Sequence, residues 1–574
     1  MKNKNNIKAN QKSFFFDDYS DSEIIFDKKN QSLVKVLPNR ITFLFFIFFS
    51  LILIFSIKII YLSLFPNKGL FSKKIVQNFV NERADVTDRN GVVLARNIDV
   101  YSAGIRPKLV KDKKKLIIQL KLNFPELNID KIKEGLYNDK FFYIKKRLTE
   151  DEKNRLWIMG NKAIVFEKKQ IRIYPQKNLF SHVLGQIDDN NNGISGLEKF
   201  FDQQLKDKKT VKFPLMLTLD SNLQHLIREE LINAKLNFNV KGSAALLMDV
   251  DDGEILSLIS LPDYDLNKRN SIDDNIYTNK ITKGVYELGS VFKTFTLAAA
   301  LENNLVKPNT VFKDLKNKVL CAGRVISEHD KLPKNLSAEQ ILIRSSNIGA
   351  IRIAQKIGIE KYKDFLNSLD LFKKFDFDLE EVGTPLSFKW GKCKLATASF
   401  GHGVTTTPLQ LATAYATLSN GGFKIRPTIL QQEQNLLEKK EQIISSKTSG
   451  TINSILRKVV VNEEGTANFA NIEGYEVGGK TGTALKSING IYTEKKINTF
   501  VSLFPTSKPK YVLLVILDEP KPAPNFIYKL PNGYKHTGEK RNTSGWNTVV
   551  VAGKIIEKIG PILAIKNLQA SNNF

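Results

Sequence analysis

Cysteine is scarce in these 574 residues, occurring only at Cys321 and Cys393, and no Cys-x-x-Cys is present. That excludes zinc ribbons and dense disulfide scaffolds. The two cysteines are read as separate thiols, with one disulfide as the alternative. The five histidines, His182, His225, His329, His402 and His536, form no His-Glu-x-x-His pair. No catalytic metal and no other cofactor is therefore expected. An arginine-rich recognition module is also missing. The lysines behind the net charge of +27 are spread along the whole chain, so no nucleic-acid partner is expected. An anionic membrane surface or polymer remains compatible with that charge. Internal repeats are absent, and a second long apolar run is absent as well.

One such run is present. Residues 41–65 are apolar apart from Thr42, Ser50, Ser56, Lys58 and Ser63. As a helix this run would reach about 37 Å, enough to cross a hydrocarbon core of about 30 Å with some tilt. The leader of about 40 residues and the following Pro66-Asn67-Lys68-Gly69 argue for an uncleaved, single-pass anchor rather than a signal peptide. Lys28, Lys29, Lys35 and Arg40 precede the span and Lys68, Lys73, Lys74 and Arg83 follow it. Flanking charge thus leaves the orientation open.

The chain is too long for one core. Residues 1–40 are polar and read as a disordered tail; residues 66–235 mix short strands with charged helices. A composition shift near Lys241 opens a larger unit, 236–565, followed by a short tail, 566–574. Ser243–Val250, Ile255–Leu261, Thr499–Phe504 and Tyr511–Leu517 read as buried strands. Ser290–Leu301, Ala338–Ile357, Thr407–Leu418 and Asn547–Ile559 read as helices. Strands, then helices, then strands and a closing helix predict an α+β fold, an antiparallel sheet flanked by helices. Residues 519–545, rich in Pro, Gly, Lys and Asn, read as a long surface loop.

Three short patterns carry chemistry. Ser290-Val291-Phe292-Lys293 follows Gly289 at a helix start. Positions i and i+3 share a helix face, so the Lys293 amine can lie near the Ser290 hydroxyl. A neutral amine there can act as general base, provided its surroundings lower its pKa from about 10.4. Ser345-Ser346-Asn347 opens a second helical run. Its Ser345 hydroxyl can relay a proton, and its Asn347 amide can bind Lys293 or a substrate amide; a plain helix cap is the competing reading. Gly478-Gly479-Lys480-Thr481-Gly482-Thr483 lets a ligand backbone approach a strand. Lys480 supplies a fixed charge there, and Thr481 and Thr483 supply hydroxyls for a carboxylate. The three occur in order, each on the element its chemistry requires.

With these motifs the chain resembles the penicillin-binding proteins and serine β-lactamases. Within them it is similar to the class B penicillin-binding proteins of cell division, the septal peptidoglycan D,D-transpeptidases. Gly401-His402-Gly403 with Thr407-Pro408-Leu409-Gln410, and Asp249–Pro262, match further catalytic-domain blocks. Asp88-Arg89-Asn90-Gly91, Arg172-Ile173-Tyr174-Pro175 and Gly193–Glu198 resemble the non-catalytic pedestal, with Arg83-Ala84 standing where Arg-Gly is usual. The resemblance implies a pedestal over 66–235 and a transpeptidase domain over 236–565. It implies Ser290 as nucleophile, Lys293 as base, and Ser345 and Asn347 in proton transfer and substrate binding. Lys480, Thr481, Gly482 and Thr483 would hold the substrate's carboxylate, with the Ser290 and Thr483 N–H groups as oxyanion donors. The implied substrate is a peptidoglycan stem peptide ending in D-Ala-D-Ala, outside the cytoplasmic membrane, and β-lactams would be covalent inhibitors. Implied partners are a polytopic glycosyltransferase and other division-complex membrane proteins. A β-lactamase would need a deacylating glutamate, and Glu380-Glu381 lacks the asparagine four residues on that class A enzymes use. A membrane-anchored penicillin sensor or an inactive division scaffold is the non-enzymatic alternative.

Overall fold

The computed structural model describes residues 38–64, 83–268, 273–321, 323–431, 440–488, 490–529 and 533–572. Residues 1–37 of the expected N-terminal tail and residues 66–82 lie outside them, while residues 38–40 already belong to a helix instead of the tail. The chain divides into two units, Met1–Phe79 and Val80–Phe574.

In the first unit, α1 (Pro38–Leu64) is a continuous helix of 27 residues. Its segment Thr42–Tyr61 has a mean hydropathy of 2.8, long and apolar enough to cross a membrane.

The second unit begins with a mixed sheet. It contains β1 (Val86–Thr87), β2 (Val93–Ile105), β3 (Phe142–Leu148), β4 (Ile164–Ile173) and β5 (Leu215–Met216). β2 is its spine, pairing antiparallel with β4 from Arg96↔Ile173 to Ile105↔Ile164. Ala103 and Ile105 on β2 pack with Leu116, Leu120, Phe124 and Leu136 into a small core of their own. A buried ionic knot ties this region together. Glu198 accepts from Arg83 Nε at 2.5 Å and from Arg172 Nε at 2.7 Å, all three side chains at most 1% exposed. Arg172 Nη1 also donates to the Ala84 carbonyl at 2.8 Å, so the residue in place of the usual glycine meets this knot through its backbone.

α2 (Ser221–Phe238), capped by the Asp220 carboxylate, leads into the main sheet. That sheet is built from β6 (Gly242–Asp249), β7 (Ile255–Leu261), β10 (Gly478–Ile488), β11 (Ile491–Phe504) and β12 (Tyr511–Asp518). Between its two halves run a hairpin, β8 (Lys318–Cys321) with β9 (Arg324–Ser327), and a cluster of helices. The main sheet is antiparallel throughout, in the order β10-β11-β12-β6-β7. Every residue of β6, β7 and β12 is buried, so helices cover both faces of the centre. α2 and the closing helix, Thr548–Asn572, pack against each other and against the sheet.

Three expectations are corrected. The predicted helix Ala338–Ile357 is two helices, Ala338–Ile343 and Asn347–Ile357. Ser345 takes φ +59°, which no helix accommodates, and the Ser346 hydroxyl then caps the second helix by accepting from Gly349 N at 2.9 Å. Cys321 and Cys393 are joined in a disulfide rather than kept apart. Residues 519–545 are not simply loop. Tyr528–Lys529 pairs with Lys535–His536, and Tyr528 is buried among the rings of Phe469, Phe526 and Trp546. Aromatic packing of this kind leaves no periodic trace in so short a segment.

Candidate active site

Ser290 lies in a single 3-10 turn, Gly289–Val291, that opens directly into the helix Phe292–Glu302. Gly289 has φ +65°, and a Cβ there would stand 2.9 Å from the Thr483 carbonyl oxygen. A Cβ on Gly482 would stand 2.2 Å from the Leu288 carbonyl oxygen. The glycines therefore let β10 lie directly against the Ser290 turn, which neither would allow with a side chain. From behind, Gly401 (φ +78°) is pressed against the Gly289 carbonyl, where a Cβ would come within 2.1 Å.

The helix carrying the serine is held rigidly. Phe292 through Ala300 are all buried. The Tyr415 hydroxyl donates to the Val291 carbonyl and to Thr294 Oγ1, both at 2.8 Å. Thr296 Oγ1 donates to the Ser399 carbonyl at 2.7 Å and lies 2.8 Å from the Tyr362 hydroxyl. One turn after Ser290 comes Lys293, whose side chain is buried.

The Lys293 amine does not bond Ser290 directly. It donates to the Ser345 carbonyl at 2.5 Å and to the Ser345 hydroxyl at 3.2 Å. Lys480 Nζ, fully buried on β10, donates to the same hydroxyl at 2.9 Å and to Thr481 Oγ1 at 3.3 Å. All three motifs thus converge on one side-chain oxygen. Burial brings the Lys293 pKa down to about 7, against the pull of the Glu328 carboxylate. Burial, with the charge of Lys293 next to it, pushes Lys480 well below the ordinary lysine range. An amine titrating near 7, one turn from a hydroxyl at a helix start, can take up and return a proton.

Asn347 stands apart from Lys293. Its Nδ2 donates to the Ser327 carbonyl at 3.0 Å, while its Oδ1 is buried with no partner among the described residues. Thr481 Oγ1 lies 2.8 Å from Thr466 Oγ1. The Thr483 hydroxyl accepts from Ser544 N at 3.1 Å, so its hydrogen-bonding capacity is partly used within the fold.

Two contacts are not legible in the motifs. Glu328 accepts from the Ser346 hydroxyl at 2.6 Å and from the N–H groups of Asn347 and Ile348 at 2.7 and 2.9 Å. Thr466 reaches Thr481 across 15 residues of chain. Neither sits in a spacing that could have flagged it. Glu380 and Glu381, where a deacylating base was considered, are engaged elsewhere. Glu381 Oε1 accepts from Gly196 N at 2.9 Å, and Glu380 pairs with Lys199 at 2.7 Å.

Residues 243–534 match the penicillin binding protein transpeptidase domain, and residues 80–215 the penicillin-binding protein dimerisation domain. The chain is 31% identical over 501 residues to a probable peptidoglycan D,D-transpeptidase FtsI of Caulobacter vibrioides, covering 85% of this chain and 83% of that one. It is 30% identical over 544 residues to the peptidoglycan D,D-transpeptidase FtsI of Buchnera aphidicola, covering 86% and 93%. The crystal structure of penicillin binding protein 3 from Mycobacterium tuberculosis, complexed with aztreonam, superposes with a TM-score of 0.63 at 21% identity, covering 83% of this chain and 96% of that one; this likeness is one of fold. The sequence matches and the convergence of its three motifs place the chain in the penicillin-binding protein family, as a member with a dimerisation domain followed by a transpeptidase domain.

Proposed function

We propose that the chain is a peptidoglycan D,D-transpeptidase of septal wall synthesis that works through an acyl-enzyme on Ser290. The observation that carries this reading is the Lys293 amine, brought to about pKa 7 one turn from Ser290 and hydrogen-bonded to the hydroxyl that Lys480 also contacts. Membership of the family supports it, as do the names of its relatives.

In this reading Ser290 Oγ attacks the carbonyl between the two D-alanines of a stem peptide. Its proton passes to neutral Lys293. The negative charge on the carbonyl oxygen is met by the Ser290 and Thr483 N–H groups. The C–N bond breaks, and the proton moves from Lys293 through the Ser345 hydroxyl to the leaving D-alanine amine. A neighbouring stem's amine then attacks the ester and loses a proton to Lys293, which restores Ser290. Lys480, Thr481, Gly482 and Thr483 receive the terminal carboxylate along β10. The unpartnered Asn347 Oδ1 suits an N–H of the bound peptide. β-Lactams acylate Ser290 by the same route.

The substrate lies outside the cytoplasmic membrane, so the catalytic unit is external and α1 is a single-pass anchor. We assign the site of action to the division septum and the partners to a polytopic glycosyltransferase and its division complex, on family resemblance.

The test is mass spectrometry of the penicillin adduct with peptide mapping, on wild type and Ser290→Ala. One adduct is expected, on the peptide carrying Ser290, and none in S290A. Walls from depleted cells should lose septal cross-links. An adduct on another residue sinks the mechanism; labelled protein with intact cross-links favours the sensor.

A further inference from the structure

The turn that presents the Ser345 hydroxyl to both lysines is held from below by one carboxylate. Glu328 follows directly on β9, the second strand of the hairpin Lys318–Cys321 and Arg324–Ser327. Its two oxygens take the Ser346 hydroxyl at 2.6 Å and the first two N–H groups of the helix Asn347–Ile357 at 2.7 and 2.9 Å. Charge-assisted bonds to a helix N-terminus are the strong kind. The preceding residue reinforces the link, since the Ser327 carbonyl accepts from Asn347 Nδ2 at 3.0 Å. The hairpin is itself tethered, because Cys321 at the end of β8 is bonded to Cys393 in the helix Lys392–Ala398. Ser345 needs that support. Its φ of +59° is costly for serine and persists only where surrounding contacts impose it.

We propose that Glu328 is a positioning residue of the active site, a carboxylate that locks the Ser345–Asn347 turn so that one hydroxyl meets both Lys293 and Lys480. This rests on the transpeptidase reading above. Glu328 touches no reacting atom in that scheme. It acts through Ser345 by geometry and on Lys293 through its charge. The charge acting on Lys293 is that of Glu328, and Lys293 in turn acts on His329 at the end of the hairpin and on Lys480 on β10.

The test is the second-order acylation rate of the full-length protein in detergent with a fluorescent penicillin, measured from pH 5 to 9. Glu328→Gln, nearly isosteric, should acylate about tenfold more slowly or worse. Its acid limb should also move to lower pH by about half a unit or more, because a charge favouring protonated Lys293 is gone. Glu328→Asp keeps the charge and draws the carboxylate back. It should acylate more slowly while holding the wild-type limb, and it answers the question if E328Q does not fold. A purely structural cap would change the amount of active protein and leave the limb in place. An unmoved limb in E328Q, or a displaced one in E328D, overturns the proposal. Penicillin labelling that persists in S290A would instead sink the underlying serine mechanism, so the two failures can be told apart.

Discussion

Lys293 and Lys480 come from elements 187 residues apart in sequence and donate to the same Ser345 hydroxyl, at 3.2 and 2.9 Å. Two buried ammonium groups on one oxygen would repel each other with little water to screen them. The pair is tolerable because at least one amine gives up its proton near neutrality: burial lowers both, and the charge of Lys293 lowers Lys480 further. The strain of the arrangement and its usefulness have the same origin.

The first prediction is the pH dependence of acylation. In the proposed mechanism neutral Lys293 is the base, so the rate of β-lactam acylation should rise with pH through a midpoint near 7 and level off above it. Stopped-flow rates across pH 5 to 9 would measure the midpoint. A flat profile would remove Lys293 from the role.

The same shift makes a statement about stability. The folded pKa of about 7 lies below the unfolded value of about 10.4, so the unfolded chain binds the extra proton. The cost of burying Lys293 is therefore full below about pH 7 and fades as pH rises toward about 10. Lys293→Met should abolish acylation yet melt above wild type at pH 6, with the gap narrowing by pH 9. Thermal unfolding at the two pH values checks both the sign and the trend.

Gly482 on β10 gives a steric test. Gly482→Ala would drive a methyl to within 2.2 Å of the Leu288 carbonyl oxygen, and backbone cannot yield cheaply there. Overpacking of this kind costs about 1–3 kcal/mol. Acylation should fall by about two orders of magnitude, because the Lys480 strand is pushed off the Ser290 turn, a misplacement of the kind that costs about that much. Paired melting and acylation measurements on G482A would decide it.

Far from the chemistry, Glu198 should matter as much for folding as any core residue. Removing it takes the carboxylate from the buried Arg172 and one of two from the buried Arg83, which keeps Asp202 at 2.7 Å. Breaking a buried pair costs about 3–5 kcal/mol. Glu198→Ala should lower the melting temperature by several degrees, without moving the pH midpoint of acylation in whatever protein remains folded.

The disulfide gives a fifth test. Cys321 and Cys393 close a loop spanning 72 residues of sequence separation. Chain entropy alone puts the stabilisation at up to about 4 kcal/mol. Incubation with a reductant, or the double Cys321→Ser, Cys393→Ser variant, should lower the melting temperature. Acylation should slow as well, since the tethered hairpin supports Glu328.

Much of this was legible in the sequence where a local rule applies. Ser290 and Lys293 share a face because a helix turns every 3.6 residues. The strands at 243–250, 255–261 and 511–517 were readable because both faces of the sheet's centre are covered, which demands unbroken apolar runs. The break at Ser345 was not readable. The sequence Ile341-Leu342-Ile343-Arg344 is helical in character, and only the contacts of Glu328 and the two lysines explain why the chain departs from it. The disulfide is readable only as the alternative, for a similar reason. Two cysteines 72 positions apart meet only if a hairpin and a short helix are packed together, which spacing alone cannot encode. Thr466 and Glu328 belong to the same class, partners created by tertiary packing.

Among the described residues, β10 has a sheet neighbour on one side only. Such a rim ordinarily invites another copy of the same protein to stick to it, and proteins blunt it with charge or short length. Here the Ser290 turn closes on the rim at Gly482, and every residue from Gly478 to Gly482 is buried. In the reaction proposed above, a peptide would meet this strand from Thr483, its first residue that is not buried, through amides and carbonyls that every peptide shares. Selectivity must then come from what lies at the peptide's end, and a rigid small-molecule mimic of that end needs little else to be accepted.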